Sequence, residues 1–224
     1  MIKINRLPAA PELTQQIAAR TAQLHEYLDE GLEPPEALLN AYRNPALKSH
    51  LIAEARGKCI YCESKVSHVY FGDVEHIKPK ALFPRERLNV ENLGFVCAKC
   101  NNAKRDYWDE NFPVIDPYAE DPAVELMAFG YYLARRPGNM RAHITLDRIN
   151  LNRTEMLERR KERIELLQPL VDQYAVAPAG PIKELLAQEL RRQATDDAEY
   201  ALVVRAYLEA CGISEDVDQR NAES

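Results

Sequence analysis

The sequence predicts an α+β protein, mostly α-helical, in which a small irregular module sits between two helical segments. Apolar residues recur at helical spacing over residues 1–57 and again after residue 120. Residues 58–120 lose that period and concentrate Cys, His, Asn, Pro and aromatic side chains. The same stretch carries two C-x-x-C pairs, Cys59/Cys62 and Cys97/Cys100. The expected division is an N-terminal helical segment, 1–57, a central module, 58–120, and a C-terminal helical region, 121–224.

Leu13, Ile17, Leu24 and Leu28 share one helical face, and Gly31 is placed to end that helix. Pro34 and Pro35 open a second helix carrying Leu38, Leu39 and Tyr42. Leu47, Leu51 and Ile52 indicate a third, stopped by Gly57. In the central module 69–71, 74–77 and 93–96 read as short strands, and 98 to about 108 as a short helix. Residues 78–92 form a polar loop with two prolines. The remainder reads as helical. Asn152 and Glu155 form a capping-box arrangement ahead of Leu157, Ile164, Leu167 and Val171. Pro181 starts a helix bearing Ile182, Leu185, Leu186 and Leu190. Asp196 and Glu199 suggest a cap for a last helix with Ala201, Val204, Tyr207 and Leu208, ended by Gly212. The tail from Ser214 is expected to fray.

With 224 residues and 46% hydrophobic side chains, the chain can bury a core. It has no apolar run long enough to span a bilayer, and its start lacks the apolar stretch of a signal peptide. A cytoplasmic protein with no membrane partner is expected. The net charge of −6 argues against coating nucleic acid by bulk charge, since that affinity comes from Lys and Arg neutralising phosphates. An enzyme that reaches a phosphodiester through a local site stays open, and a partner can supply the grip.

Five cysteines without an export signal make a poor disulfide framework. Two C-x-x-C turns, 34 residues apart, aim four thiolates at one point, the closed tetrahedral shell of a structural Zn²⁺. Such a site leaves no open position for catalysis and holds together a module with little core. A redox role expects a thioredoxin-like βαβ pattern, which is absent. Cys211 stands alone and reads as a small apolar side chain near a helix end.

Between and around these pairs run Asp73-Val74-Glu75-His76-Ile77-Lys78-Pro79-Lys80, then Asn92, then Cys97-Ala98-Lys99-Cys100-Asn101-Asn102-Ala103-Lys104. The order acid–His, Asn, C-x-x-C-N-x-x-K resembles the HNH endonuclease superfamily with its ββα-metal, treble-clef-like core. The resemblance implies that His76 is the general base, that Asn92 braces the loop, and that Asn101 binds a catalytic metal. Phosphodiester cleavage needs a nucleophile, charge neutralisation and help for the leaving oxygen. A neutral imidazole can take a proton from water. Glu75 and Asn101 supply hard oxygen donors for one Mg²⁺ or Mn²⁺. Asp73 competes with Glu75, because alternation puts both on one strand face and His76 on the other. A metal on Glu75 would then need a bulge or twist near His76. Asn102 competes with Asn101, and Lys104, one turn after Asn101, is expected to touch a phosphate.

Other polar groups read more plainly. His68 reads as a surface residue, and His25, His50 and His143 carry no ligand-like spacing. Lys78 and Lys80 are either phosphate guides or solvated lysines. Arg159, Arg160, Lys161 and Arg163, interleaved with glutamates, read as a solvated helix face. Tyr107 and Trp108 read as packing residues.

The likeness extends to Ile4-Asn5-Arg6-Leu7-Pro8, Lys58-Cys59-Ile60-Tyr61-Cys62-Glu63 and Phe112-Pro113-Val114-Ile115-Asp116-Pro117. These are similar to the PtuB-type nucleases of Septu antiphage systems and to retron-associated HNH proteins, in which Glu before the His is usual. That resemblance implies an antiphage nuclease acting on nucleic acid, DNA more than RNA. Its implied partner is a PtuA-like ABC-type ATPase, since the chain has no P-loop of its own. The alternatives are a stand-alone HNH nuclease of a restriction or mobile element, and a non-catalytic zinc module.

Overall fold

The computed structural model describes residues 1–66 and 71–213. The expected strand piece at 69–71 falls largely outside them, as do His68 and the tail from Ser214; Phe71 is described and lies outside any strand.

Three helices open the chain: α1 (Pro11–Asp29), α2 (Glu36–Leu39) and α3 (Pro45–Glu54). Proline occupies the first turn of α1 and α3, where its missing N–H costs nothing. Asn44 caps α3 by accepting from the Ala46 and Leu47 amides. The second expected helix is short and passes into a 3₁₀ turn at Ala41–Arg43, which buries Tyr42. Gly31 and Gly57 follow α1 and α3 with φ of 67° and 71°, as helix-ending glycines do.

The central module is strand, loop, strand, helix: β1 (Asp73–His76), β2 (Leu93–Val96) and α4 (Ala98–Lys104). The strands are antiparallel, with Asp73 opposite Val96 and His76 opposite Leu93. β2 is buried throughout and takes the Ile60 amide on its Phe95 carbonyl at 3.0 Å, joining the first cysteine turn to the sheet. The short helix stops earlier than expected, at Lys104, because Arg105 turns to φ 51°.

Beyond residue 120 the wholly helical expectation is corrected. Strands β3 (Leu126–Phe129) and β4 (Tyr132–Arg135) form a hairpin through Gly130 and Tyr131, with Gly130 at φ 55°. Four helices follow: α5 (Met140–Arg148), α6 (Thr154–Val176), α7 (Pro181–Arg192) and α8 (Ala201–Ala210). The expected capping box does not form. Asn152 lies two residues ahead of α6 and spends its amide on Leu133, donating at 2.7 Å and accepting at 3.0 Å. Asp196 and Glu199 do not cap α8 either: Asp196 pairs with Arg56 and Arg205, and Glu199 accepts from the Lys65 amide. Both departures share one cause: tertiary partners outcompete the local amide. Arg160 also departs from the solvated face, being 1% exposed and donating to Asn152 at 3.2 Å. Its neighbours Arg159 and Lys161 do make the surface pairs expected, with Glu162 and Glu165.

One apolar core runs from Ile4 and Leu24 through Leu47 and Phe95 to Leu133 and Val203. A smaller one joins α6, α7 and α8 through Leu167, Val171, Leu190 and Val204. Among the described residues no helix is long and apolar enough to cross a membrane.

Candidate active site and metal centre

The first cysteine pair sits on a turn closed by the Cys59 amide on the Ser64 carbonyl and the Glu63 amide on the Cys59 carbonyl, with Glu63 at φ 64°. The second opens α4, where Cys97 is the N-cap and its sulfur accepts from the Cys100 amide. Gly94 lets Ile60 approach β2: a Cβ there would meet Ile60 Cδ1 at 2.5 Å. The four Sγ atoms lie within 4.8 Å of one another, and Cys62 and Cys97 stand 3.9 Å apart. A tetrahedral Zn–S shell at about 2.3 Å has sulfur edges of about 3.8 Å, so this donor set fits a structural zinc. Burial pushes the Cys59 thiol up, while hydrogen bonds with Cys100 and Cys59 hold Cys62 and Cys97 down. Arg153, just ahead of α6, reaches Cys100 Sγ at 3.7 Å and brings positive charge to the cluster.

β1 and α4 bring the predicted catalytic residues together in two pairs. Asn101 donates to Asp73 Oδ2 at 3.1 Å, both side chains half-buried. Glu75 lies one turn of α4 deeper and ion-pairs with Lys104 at 2.6 Å. Burial raises the Glu75 carboxyl despite that neighbour. Lys104 is 1% exposed and also donates to the His76 carbonyl at 2.9 Å, so its expected phosphate contact is corrected: this ammonium fixes the end of β1 from inside. β1 carries no bulge, so Asp73 and Glu75 face α4 while the His76 ring faces away. Asn102, the competitor of Asn101, is exposed.

His76 Nε2 is 2.9 Å from the Arg87 carbonyl. A carbonyl only accepts, so Nε2 carries the hydrogen and Nδ1 is the acceptor nitrogen, with no hydrogen-bond partner among the described residues. The ring is 6% exposed, and burial pushes its pKa down to about 4, so it is neutral at cellular pH. Asn92, 5% exposed, closes the loop that carries Arg87. It accepts from the Lys78 amide at 2.7 Å and donates to the Lys78 and Glu86 carbonyls at 3.0 and 3.1 Å.

Two residues at this site escaped the sequence. Tyr42 stands edge-on to the His76 ring at 4.6 Å and 79°. Its hydroxyl accepts from Lys80 Nζ at 2.9 Å and Arg43 Nε at 3.3 Å. Burial pushes this phenol up, but those two donors leave it below its ordinary value. Arg6 donates to Glu54, to the Leu93 carbonyl and to the Glu91 carbonyl, and stacks on Tyr118 at 3.5 Å. Nothing local marks either contact, which joins residues 34 or more positions apart. Lys78 is exposed above Phe83 and Trp108, which meet edge-on at 5.0 Å.

Residues 59–106 match the HNH endonuclease family, a span that contains both cysteine pairs, β1, β2 and α4. The chain is also 24% identical over 222 residues to the Septu protein PtuB of Bacillus thuringiensis, covering 93% of this chain and 82% of that protein. With its ββα module and paired cysteines, the stretch 59–106 is an HNH endonuclease-type domain, and over most of its length the chain is similar to PtuB.

Proposed function

We propose that the chain is a metal-dependent endonuclease hydrolysing nucleic-acid phosphodiester bonds, with DNA the preferred polymer. The observation that carries this reading is the His76 ring: Nε2 is committed to the Arg87 carbonyl, and Nδ1 is left to take a proton from water. Asn92 holds the loop, and with it the ring, in place. Asp73 and Asn101 are the oxygen donors that fit a divalent cation, because they already meet and stay half-open to solvent. Glu75 is the buried alternative, engaged by Lys104. A bound Mg²⁺ or Mn²⁺ supplies charge neutralisation at the scissile phosphate and the leaving oxygen.

The similarity to a Septu protein supports a place in antiphage defence, in the cytoplasm, beside a PtuA-like ABC-type ATPase. The acidic net charge supports the partner too, since bulk charge does not hold this chain on a polymer. The test is cleavage of supercoiled plasmid and bulk RNA with Mg²⁺ or Mn²⁺, alone and with the ATPase, comparing wild type with His76→Ala. Cutting by wild type and not by the variant is expected. Equal cutting by both removes His76 from the mechanism.

A further inference from the structure

The acidic chain holds a local basic cleft that no role has yet absorbed. It lies among α1, α2 and α3, has a volume of about 280 Å³, and is lined by Arg20 and Arg43 with Gln16, Asn40 and Asn44. Among the described residues none of its lining side chains is acidic. Glu36 meets Asn40 at 3.5 Å from outside that lining. Asn44 donates to Gln16 at 2.9 Å across it, so its floor is fixed. Arg20 and Arg43 are exposed, and the Arg20 guanidinium touches Gln23 at 3.4 Å.

Arg43 connects this cleft to the candidate active site. Its Nε donates to the Tyr42 hydroxyl, the oxygen that also accepts from Lys80, and the Tyr42 ring rests on His76. Two cations from different segments thus converge on one oxygen beside the base. Guanidinium and ammonium groups held near each other favour an anion, and a phosphate oxygen receives both.

We propose that Arg43 and Arg20, with Lys80 at the inner end, bind the sugar–phosphate backbone of the strand beyond the phosphate addressed by His76. The inference rests on the nuclease reading and extends the substrate track onto helices outside the matched residues 59–106. The contacts are to backbone, so they position the polymer without reading its sequence.

The test uses the full chain and fluorescein-labelled duplex DNA and single-stranded RNA. Binding is measured in a His76→Ala background, so that the probe stays intact, with and without Arg20→Gln and Arg43→Gln. Both arginines are exposed, and circular dichroism checks that the variants fold. Each substitution is expected to weaken binding several-fold and to reduce the slope of log K against log salt by about 0.9 on duplex DNA. In the active chain KM rises and kcat holds. Lys161→Gln, an equal charge change on α6, is expected to behave as wild type. Equal losses from Lys161→Gln would reduce the effect to net charge and overturn the track. Wild-type cutting with unchanged affinity, slope and KM in the arginine variants overturns the track and leaves the nuclease reading standing. No cutting with any metal, alone or with the ATPase, yet a reduced slope, removes the nuclease reading and keeps the cleft as a nucleic-acid face. If the chain binds and cuts neither polymer, alone or with the ATPase, both fall.

Discussion

A histidine pushed down to about 4 by burial makes folding sensitive to acid. The unfolded chain takes a proton on His76 near its ordinary value of about 6.5, while the folded chain refuses it until about 4. Stability is therefore whole above pH 6.5, falls as pH drops towards 4, and levels off below. The ceiling of this contribution is about 3 kcal/mol. Urea midpoints for wild type and His76→Gln, compared from pH 7 to 4, are expected to show wild type losing ground to the variant over that window. A gap independent of pH would mean that the ring titrates normally. The Glu75–Lys104 pair makes a second prediction, since removing one partner of a buried pair strands the other charge. Lys104→Met is expected to cost roughly 3–5 kcal/mol, with much of it recovered by adding Glu75→Gln. A Lys104→Met chain as stable as wild type in urea would show the ammonium to be solvated. At this scale the sequence marked His76, Asn92, Asn101 and Asp73, because their types and spacing follow from the chemistry. It did not mark Lys104 as a buried clamp, since burial depends on what α4 packs against.

At the scale of elements, the cysteine turns and the two-stranded sheet depend on each other. Gly72 enters β1 at φ 65°, and a Cβ there would stand 2.2 Å from the Phe95 ring. Gly72→Ala combines that backbone strain with overpacking of a ring that is 1% exposed. A loss of about 2 kcal/mol or more is expected, read as a lower thermal midpoint. Zinc removal acts on the same unit. Metal analysis is expected to find one zinc per chain, lost in Cys100→Ser. A strong chelator should lower the thermal midpoint of wild type and leave that variant nearly unmoved. A chain that keeps its midpoint without metal would reduce the four cysteines to core side chains. Local signals were enough for α1 and α3, where periodicity, proline and glycine agree, for β2, an apolar run, and for α8, where periodicity meets Gly212. They missed β3 and β4, because a hairpin of four-residue strands has too little alternation to stand out beside amphipathic helices.

For the whole molecule, the shared core argues against a detachable nuclease module. Leu24 and Leu47 from the N-terminal helices and Val203 from α8 lie in one cluster with Phe95 and Leu93 of β2. Arg6 ties the first residues to the β2 backbone. The fragment 58–120 supplied with zinc is therefore expected to stay unfolded, while the full chain melts with its sheet and N-terminal helices together. Well-dispersed amide resonances from that fragment would show that the flanks are dispensable for folding.

By itself the sequence determined the class of the protein, the four-cysteine metal site and the order acid–His, Asn, Asn around it. Each of these rests on residue type and short-range spacing, which geometry cannot redistribute. Only the tertiary structure decided that Tyr42 covers His76, that Glu75 is engaged by Lys104 while Asp73 meets Asn101, and that Arg43 opens a basic cleft beside them. Those outcomes depend on which distant segments share a core, and packing energy, being non-directional, leaves no local pattern to read.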